Sequence, residues 1–408
     1  MSTEPTPPGD GALLHVVGGG FNQIALIRKA KARGMRVLVT DRIDNPPGRG
    51  HADLFEVADT TDKERTLCHA ERHGVDYVAT DETDVAVPTV AYVAEHLGLP
   101  GIGYERALVF THKHRMRSAL EVAAGAYLPE SHHFTSAERA VAFHRGCDPA
   151  VPYLVKPIDS QGSKGVRRLD GDFERQVAAA FDASPRGSVV VERFIDGPEY
   201  SVEAFVRDGK VNNLCVTTKY HYDENPCLDE RCTFLGDVDP GVEQALFEAN
   251  QKIITVLGLP FGSTHAEFKI AEGKVYLIEV AARGAGGGIS SLIIPHLTGF
   301  EPLEALLASL ANEPYDVEVR DYKQRCAVLR FFNWAPGTIR QIEIDDAVVS
   351  GLAGFRLDVA SGDRLQPPRD SSDRPGYFIV TGTAVDEVLR RERLALSAVR
   401  IEYLDAAP

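Results

Sequence analysis

The chain has 408 residues, 44% hydrophobic and 25% charged, which is enough to bury several cores and too long for one ordinary domain. Its formal net charge is −15, and no dense Lys/Arg cluster offsets it. That argues against a nucleic-acid partner, which needs a basic face to neutralise phosphates. No apolar run reaches the length of a bilayer span, which argues against membrane insertion.

The opening residues 1–11 are polar and rich in Pro and Gly, without the basic and apolar regions of a signal peptide, and read as a disordered tail. The six cysteines, Cys68, Cys147, Cys215, Cys227, Cys232 and Cys326, form no CxxC pair and read as reduced thiols of a cytoplasmic protein. A β-α-β-α alternation follows the tail. Strands are expected at 13–17, 35–40 and 77–80 and helices at 23–33 and 85–97, as in a doubly wound parallel sheet. Gly18, Gly20 and Asp41 are spaced like a dinucleotide fingerprint, but Gln23 stands where its third glycine belongs. A structural or substrate-facing role is therefore favoured over NAD binding.

Past Gly103 the pattern changes. Residues 107–124 read as one helix carrying Lys113 and Arg117. A short apolar strand at 151–155 runs into Lys156-Pro157, a Gly/Ser turn and a polar strand at 166–169. Residues 188–194 are strongly β-forming, and Asp208-Gly209 and Glu272-Gly273 each mark a hairpin. A glycine-rich loop at 284–288 opens a helix, and the last hundred residues read as an α+β unit.

Three segments carry chemistry. In Lys156-Pro157-Ile158-Asp159-Ser160-Gln161-Gly162-Ser163-Lys164-Gly165, a lysine closes a strand ahead of small residues whose backbone N–H groups can approach phosphate oxygens. The loop returns into a strand, so it is not a Walker A loop. Glu267 and Glu279 are equidistant from Gly273, so a simple register sets them opposite each other, with Phe268, Ile270, Tyr276 and Ile278 on the core face. Opposed like charges destabilise a sheet unless a cation lies between them, and Mg2+ is held by one or two carboxylates plus substrate phosphates. The strand 189–194 breaks at Asp196-Gly197-Pro198 and resumes at Tyr200, as a chain does when it crosses between lobes.

Together these segments resemble the ATP-grasp superfamily of carboxylate–amine ligases, in an organisation like that of biotin carboxylase, carbamoyl-phosphate synthase and L-amino acid ligases. The resemblance runs in the right order along nearly the whole chain. It implies a mixed α/β and α+β multidomain protein: a Rossmann-like domain at 12–106, an ATP-grasp small lobe at 107–190, a large lobe at 191–312 and an α+β subdomain at 313–408. It also implies ATP and Mg2+, with Mn2+ able to substitute, small carboxylate and amine substrates, and a homodimer.

By the same resemblance, Lys113 and Lys156 match the nucleotide lysines, and Ser160, Gly162, Ser163 and Gly165 the phosphate loop. Glu192, Arg193, Phe194 and Ile195 match the adenine hinge, and Glu199 the ribose carboxylate. Glu267 and Glu279 match the magnesium ligands, Arg283 the arginine at the transferred phosphate, and Lys219 a further phosphate contact. His265, His221, Gly286 and Gly287 are substrate-site candidates, and the stretch 219–234 is expected to be a loop that closes over the site. The family commonly has Asn two residues after its second metal glutamate; Ala281 stands there. The implied reaction phosphorylates a carboxylate and passes the acyl group to an amine, with cyclisation, a non-amine nucleophile, NAD-dependent oxidoreduction and an inactive nucleotide-binding relative as alternatives.

Overall fold

The structure, a computed structural model, describes residues 11–404. The tail expected at 1–11 therefore lies outside the described residues except for Gly11. The first sheet is parallel, with spatial order Leu54–Val57, Arg36–Asp41, Leu13–Val17, Tyr77–Ala79. Leu13–Val17 is buried along its whole length, as expected of a parallel strand covered on both faces. Successive connections leave to opposite sides of Leu13–Val17, so the chain after that strand and after Tyr77–Ala79 emerges at a topological switch point, where open α/β sheets hold ligands.

The expected helix 107–124 is two helices, Tyr104–Thr111 and Lys113–Ala124. His112 between them is extended, and its ring caps the second helix at the Arg115 N–H. The break lets the Lys113 backbone N–H donate to the Ile158 carbonyl at 3.0 Å, which ties this helix start to the phosphate loop. A continuous apolar period hid the break, because His is a weaker stop signal than Gly or Pro.

A four-stranded antiparallel sheet follows, in the order Ser131–Phe134, Val189–Arg193, Tyr153–Pro157, Arg167–Leu169. Its apolar side is closed by the helices Ala137–Arg145 and Phe173–Asp182. The largest sheet has eight strands: Lys274–Ala281, Gly262–Ala271, Glu199–Arg207, Lys210–Tyr222, Asn225–Phe234, Cys326–Phe331, Gly376–Gly382 and Gly354–Leu357. Helix Pro240–Leu257 packs on its core face.

The stretch 219–234 is therefore not a closing loop. It is the end of one strand and the whole of the next, both inner strands of the sheet, joined by an exposed turn at Asp223-Glu224. Pro226, the charged residues and the register shifts around His221 break the alternation that marks a strand. Three strands after residue 325 continue the same sheet, covered by helix Val385–Ser397, while Gly337–Ile344, Arg364–Leu365 and Val399–Tyr403 form a small separate sheet. No helix among the described residues is long and apolar enough to cross a membrane.

Candidate active site

Glu267 and Glu279 are direct register partners, as their spacing about Gly273 predicts. One residue beyond them the register slips, and Phe268 pairs with Leu277 rather than Ile278. The bulge sets two residues against one, and the expected core face holds for Phe268 and Ile270 but not for Tyr276 and Ile278. Leu277 joins Phe268 and Val280 in the core, while Ile278 lines a cleft beside Glu279. Tyr276 does not belong to that core either and borders a shallower depression outside the hinge.

The cleft, about 1110 Å³, lies between the four- and eight-stranded sheets. Lys113, Lys156, Ser160, Gly162 and Ser163 border it from the small-lobe side. Leu154, Val166, Phe194, Ile195 and Ile278 make its apolar end, and Arg193 borders it there. Glu199, Lys219, His265, Glu267, Glu279 and Arg283 border it from the large-lobe side.

Gly165 does not border the cleft. It turns the loop with φ +75°, and an added Cβ would lie 2.6 Å from Ala183 and 2.7 Å from Pro157. Three regions hold this loop down. The Asp84 N–H donates to Gln161 Oε1 at 2.9 Å, the Ser371 N–H to the Gly162 carbonyl at 3.0 Å, and Ser163 Oγ to the Cys227 carbonyl at 2.5 Å.

Every lysine in the cleft is ion-paired. Lys113 Nζ lies 2.9 Å from Glu279 Oε1 and also donates to the Ser160 carbonyl. Lys156 Nζ lies 3.1 Å from Glu192 Oε2, whose other oxygen takes the Arg117 Nε–H at 2.8 Å. Lys219 Nζ is caged by Glu267 at 2.6 Å and by Glu199 and Asp229 at 3.0 Å each, and Lys269 is 3.6 Å from Glu199.

Burial works against these charges, but the partners win. Despite its burial, Glu192 is held below the usual carboxylate range by Arg117 and Lys156, and Glu267 well below it by Lys219 and His265. Glu199 is lowered to about 2, burial being outweighed by Lys219 and His221. His265, its ring 2.6 Å from buried Glu203, is raised against burial to about 9 and is cationic at neutral pH.

His221 sits behind the cleft rather than in it, 3.1 Å from Glu199 and 3.5 Å from Asp229. Glu199, His221 and Asp229 bring potential metal-ligand atoms together. The Lys219 ammonium already bonds two of the three, so a cation fills that cluster. Glu267 and Glu279 suit a divalent ion better. They face each other across one ladder step, border the cleft, and each is compensated by an ammonium group. Ala281 borders the cleft and offers no side-chain ligand.

A second cavity of about 1480 Å³ shares Lys219, His265 and Arg283 with the cleft and lies against the first sheet's switch point. Arg283 is clamped by both oxygens of Asp84, at 2.9 and 2.7 Å, and burial is outweighed so that its pKa rises further. Gly286 and Gly287 line this chamber beside Leu329 and Phe331. Glu82 lies in its floor, buried, with φ +54°, accepting a bond from Ser291 Oγ. Burial, then the charge of Asp81, push its pKa well up. Gly284 leaves no room for a Cβ against Ser290, and its N–H donates to Asp81 at 2.9 Å.

The dinucleotide-like spacing has a local use. The Asp41 carboxylate accepts the Gly19 and Ile43 N–H groups at 2.8 and 2.9 Å. The pairings of Arg117, Asp84, Asp229 and Glu203 were not legible in the sequence, because their partners lie 75, 199, 10 and 62 positions away. Asp84 alone had a signal, its position just past a predicted strand end of the first sheet.

Residues 149–291 match the ATP-grasp domain and residues 330–404 match the L-amino acid ligase C-terminal domain 2. The chain is 25% identical over 333 residues to the phosphoribosylamine–glycine ligase of Pyrococcus furiosus, covering 76% of this chain and 73% of that one. It is 26% identical over 245 residues to the dapdiamide A synthase of Enterobacter agglomerans, covering 56% and 57%. Its fold superposes on an L-amino acid ligase from Bacillus licheniformis with a TM-score of 0.80 at 22% identity, over 97% of this chain and 100% of that one. With its two matched domains, this fold and relatives that form C–N bonds, the chain belongs to the ATP-grasp superfamily of ADP-forming carboxylate–amine ligases.

Proposed function

We propose that this ligase activates the carboxylate of an amino acid or amino-acid-like donor as an acyl phosphate, couples it to a second amine and releases ADP and phosphate. The observation that carries the reading is the opposed Glu267/Glu279 pair on the wall of the cleft, beside Lys219, His265 and Arg283, which border both the cleft and the chamber. The names of the relatives, an L-amino acid ligase and a dapdiamide synthase, support an amino-acid donor.

In this reading Arg193, Phe194 and Ile195 receive adenine against the apolar end of the cleft, and Glu199 the ribose. Glu192 instead holds Lys156 and Arg117 in position from beneath. Lys113, Lys156 and the N–H groups from Ser160 to Ser163 receive the phosphates. Glu267 and Glu279 would hold Mg2+, or Mn2+ in its place, which supplies charge neutralisation at the phosphate oxygens. The donor carboxylate oxygen attacks the γ-phosphorus, the bond to the β–γ bridging oxygen breaks, and ADP leaves. The amine nitrogen then attacks the acyl carbon, the carbonyl carbon–oxygen bond to phosphate breaks, and the nitrogen loses a proton. Phosphoryl transfer of this kind needs mainly positioning and charge, which Arg283 and Lys219 provide.

Because the Lys210–Tyr222 and Asn225–Phe234 strands lie within the sheet, water exclusion falls to the pinned phosphate loop. The protein is proposed to act as a cytoplasmic homodimer. The test is ADP release from MgATP with pooled amino acids, beside Glu279→Ala. Release that requires the pool and disappears in the variant is expected. Release of AMP and pyrophosphate, or release indifferent to Glu279, contradicts the reading.

A further inference from the structure

Seven lysines and arginines border the nucleotide cleft: Lys113, Lys156, Arg193, Lys219, Lys269, Arg283 and Arg374. The chamber adds Arg356. All but one have a carboxylate within ion-pair distance: Arg193 has Glu272, Arg356 has Asp358, and the others are paired as described above. Among the described residues Arg374 pairs with none. Its guanidinium donates to the Asp229 carbonyl at 2.7 Å, its carbon lies 3.7 Å over the Phe331 ring, and its Nε is buried without a partner.

A half-buried guanidinium that is held rigid, stacked and left without an anion is built to receive one. We infer that Arg374 binds the carboxylate of the incoming amine-bearing substrate, so that the acceptor is an amino acid rather than a simple amine. The inference rests on the acyl-phosphate reading given above.

Its place favours this anion over the transferred phosphoryl group. Phe331, under the guanidinium, lines the chamber and not the nucleotide cleft. The donor's carboxylate is consumed by phosphorylation, so the acceptor's carboxylate is the anion still needing a partner. Leu329, Phe331 and Tyr377 supply an apolar wall beside it, suited to an apolar side chain. The arginine comes three residues after Ser371, whose N–H pins the Gly162 carbonyl. The same turn thus holds the phosphate loop on one side and presents the acceptor contact on the other.

Hydroxylamine, which lacks a carboxylate, separates the two readings. Wild type, Arg374→Leu and Arg374→Lys are each supplied with MgATP and pooled proteinogenic amino acids, with and without hydroxylamine, and peptides and hydroxamates are quantified by mass. The expected result is a peptide-to-hydroxamate ratio at least tenfold lower in Arg374→Leu. In Arg374→Lys, which keeps the charge and loses the planar fork, the ratio falls at least threefold, so the test survives if the leucine variant does not fold. An unchanged ratio overturns the inference and leaves the acyl-phosphate reading intact. Hydroxamate and peptide falling together, with a raised KM for MgATP, also overturns it and assigns Arg374 to the phosphoryl group. Wild type yielding no hydroxamate overturns the acyl-phosphate reading itself, and this inference with it.

Discussion

The nucleotide cleft and the chamber beside it share four cationic residues, Lys219, His265, Arg283 and Arg374, but manage charge in different ways. In the cleft, Lys113, Lys156 and Lys219 are each neutralised by a carboxylate of the chain, and Glu192 and Glu199 do so while buried. Toward the chamber, Arg374, on its boundary with the cleft, and Glu82, in its floor, have no ionic partner among the described residues. Lysines already held in place cost little reorganisation when a triphosphate arrives. A cation left open, as Arg374 is, discriminates, because a ligand lacking the matching group leaves it unpaired. On the proposed reading the cleft is a general device and the chamber carries the selectivity.

The comparison can be broken at its strongest point first. Glu279→Ala removes one of the two opposed carboxylates and frees Lys113, and turnover is expected to fall by about 10³-fold or more. Steady-state ADP release measures it, and a loss below tenfold would show that the pair is not at the reacting phosphate. Glu192→Ala leaves Arg117 and Lys156 buried without their shared anion, at a cost of about 3–5 kcal/mol. Urea unfolding reads that cost, and a change under about 1 kcal/mol would mean that water reaches both cations.

Away from both cavities, buried His15 sharpens the contrast, because it is kept neutral rather than paired. Burial, then the nearby His69 and His73, lower its pKa to about 3. Its stabilising contribution is present above the unfolded value near 6.5 and is lost as pH falls toward 3, since the unfolded chain takes up a proton that the native state refuses. The slope from this residue is about 1.4 kcal/mol per pH unit, and His15→Gln should flatten the stability curve in that window. The smallest effect is in the chamber wall. Gly287 has φ +69°, and an added Cβ would lie 3.1 Å from Leu329. Gly287→Ala should cost about 1–2 kcal/mol and raise the KM of the bulkier substrate more than that of MgATP.

Much of this was legible in the sequence. Strand Leu13–Val17 and both Gly-marked hairpins follow from period-two patterns and turn residues, which are local, whereas the facing of Glu267 and Glu279 read from their spacing is completed by a bulge. The bulge beside Glu267 was not legible, because one inserted residue alters no composition yet moves Leu277 and Ile278 to opposite faces. Strand Asn225–Phe234 was hidden because its alternation is irregular, with register shifts against Lys210–Tyr222 on one side and a partner, Cys326–Phe331, about a hundred residues away on the other. Lys113, Lys156 and Lys219 were found as residues and Lys269 was not, and none of them was recognised as paired with a carboxylate. Arg374 drew no notice for the same reason: being unpaired is a property of the neighbourhood in space.

The most direct test of the central claim follows an oxygen atom. With the donor identified by ADP release and labelled with 18O in its carboxylate, the account predicts one 18O atom in the phosphate released per turnover, because the donor oxygen that attacks phosphorus leaves with it. Unlabelled phosphate, with both labelled oxygens still on the donor carbon, would mean that ATP is hydrolysed without activating the carboxylate, and would contradict the account.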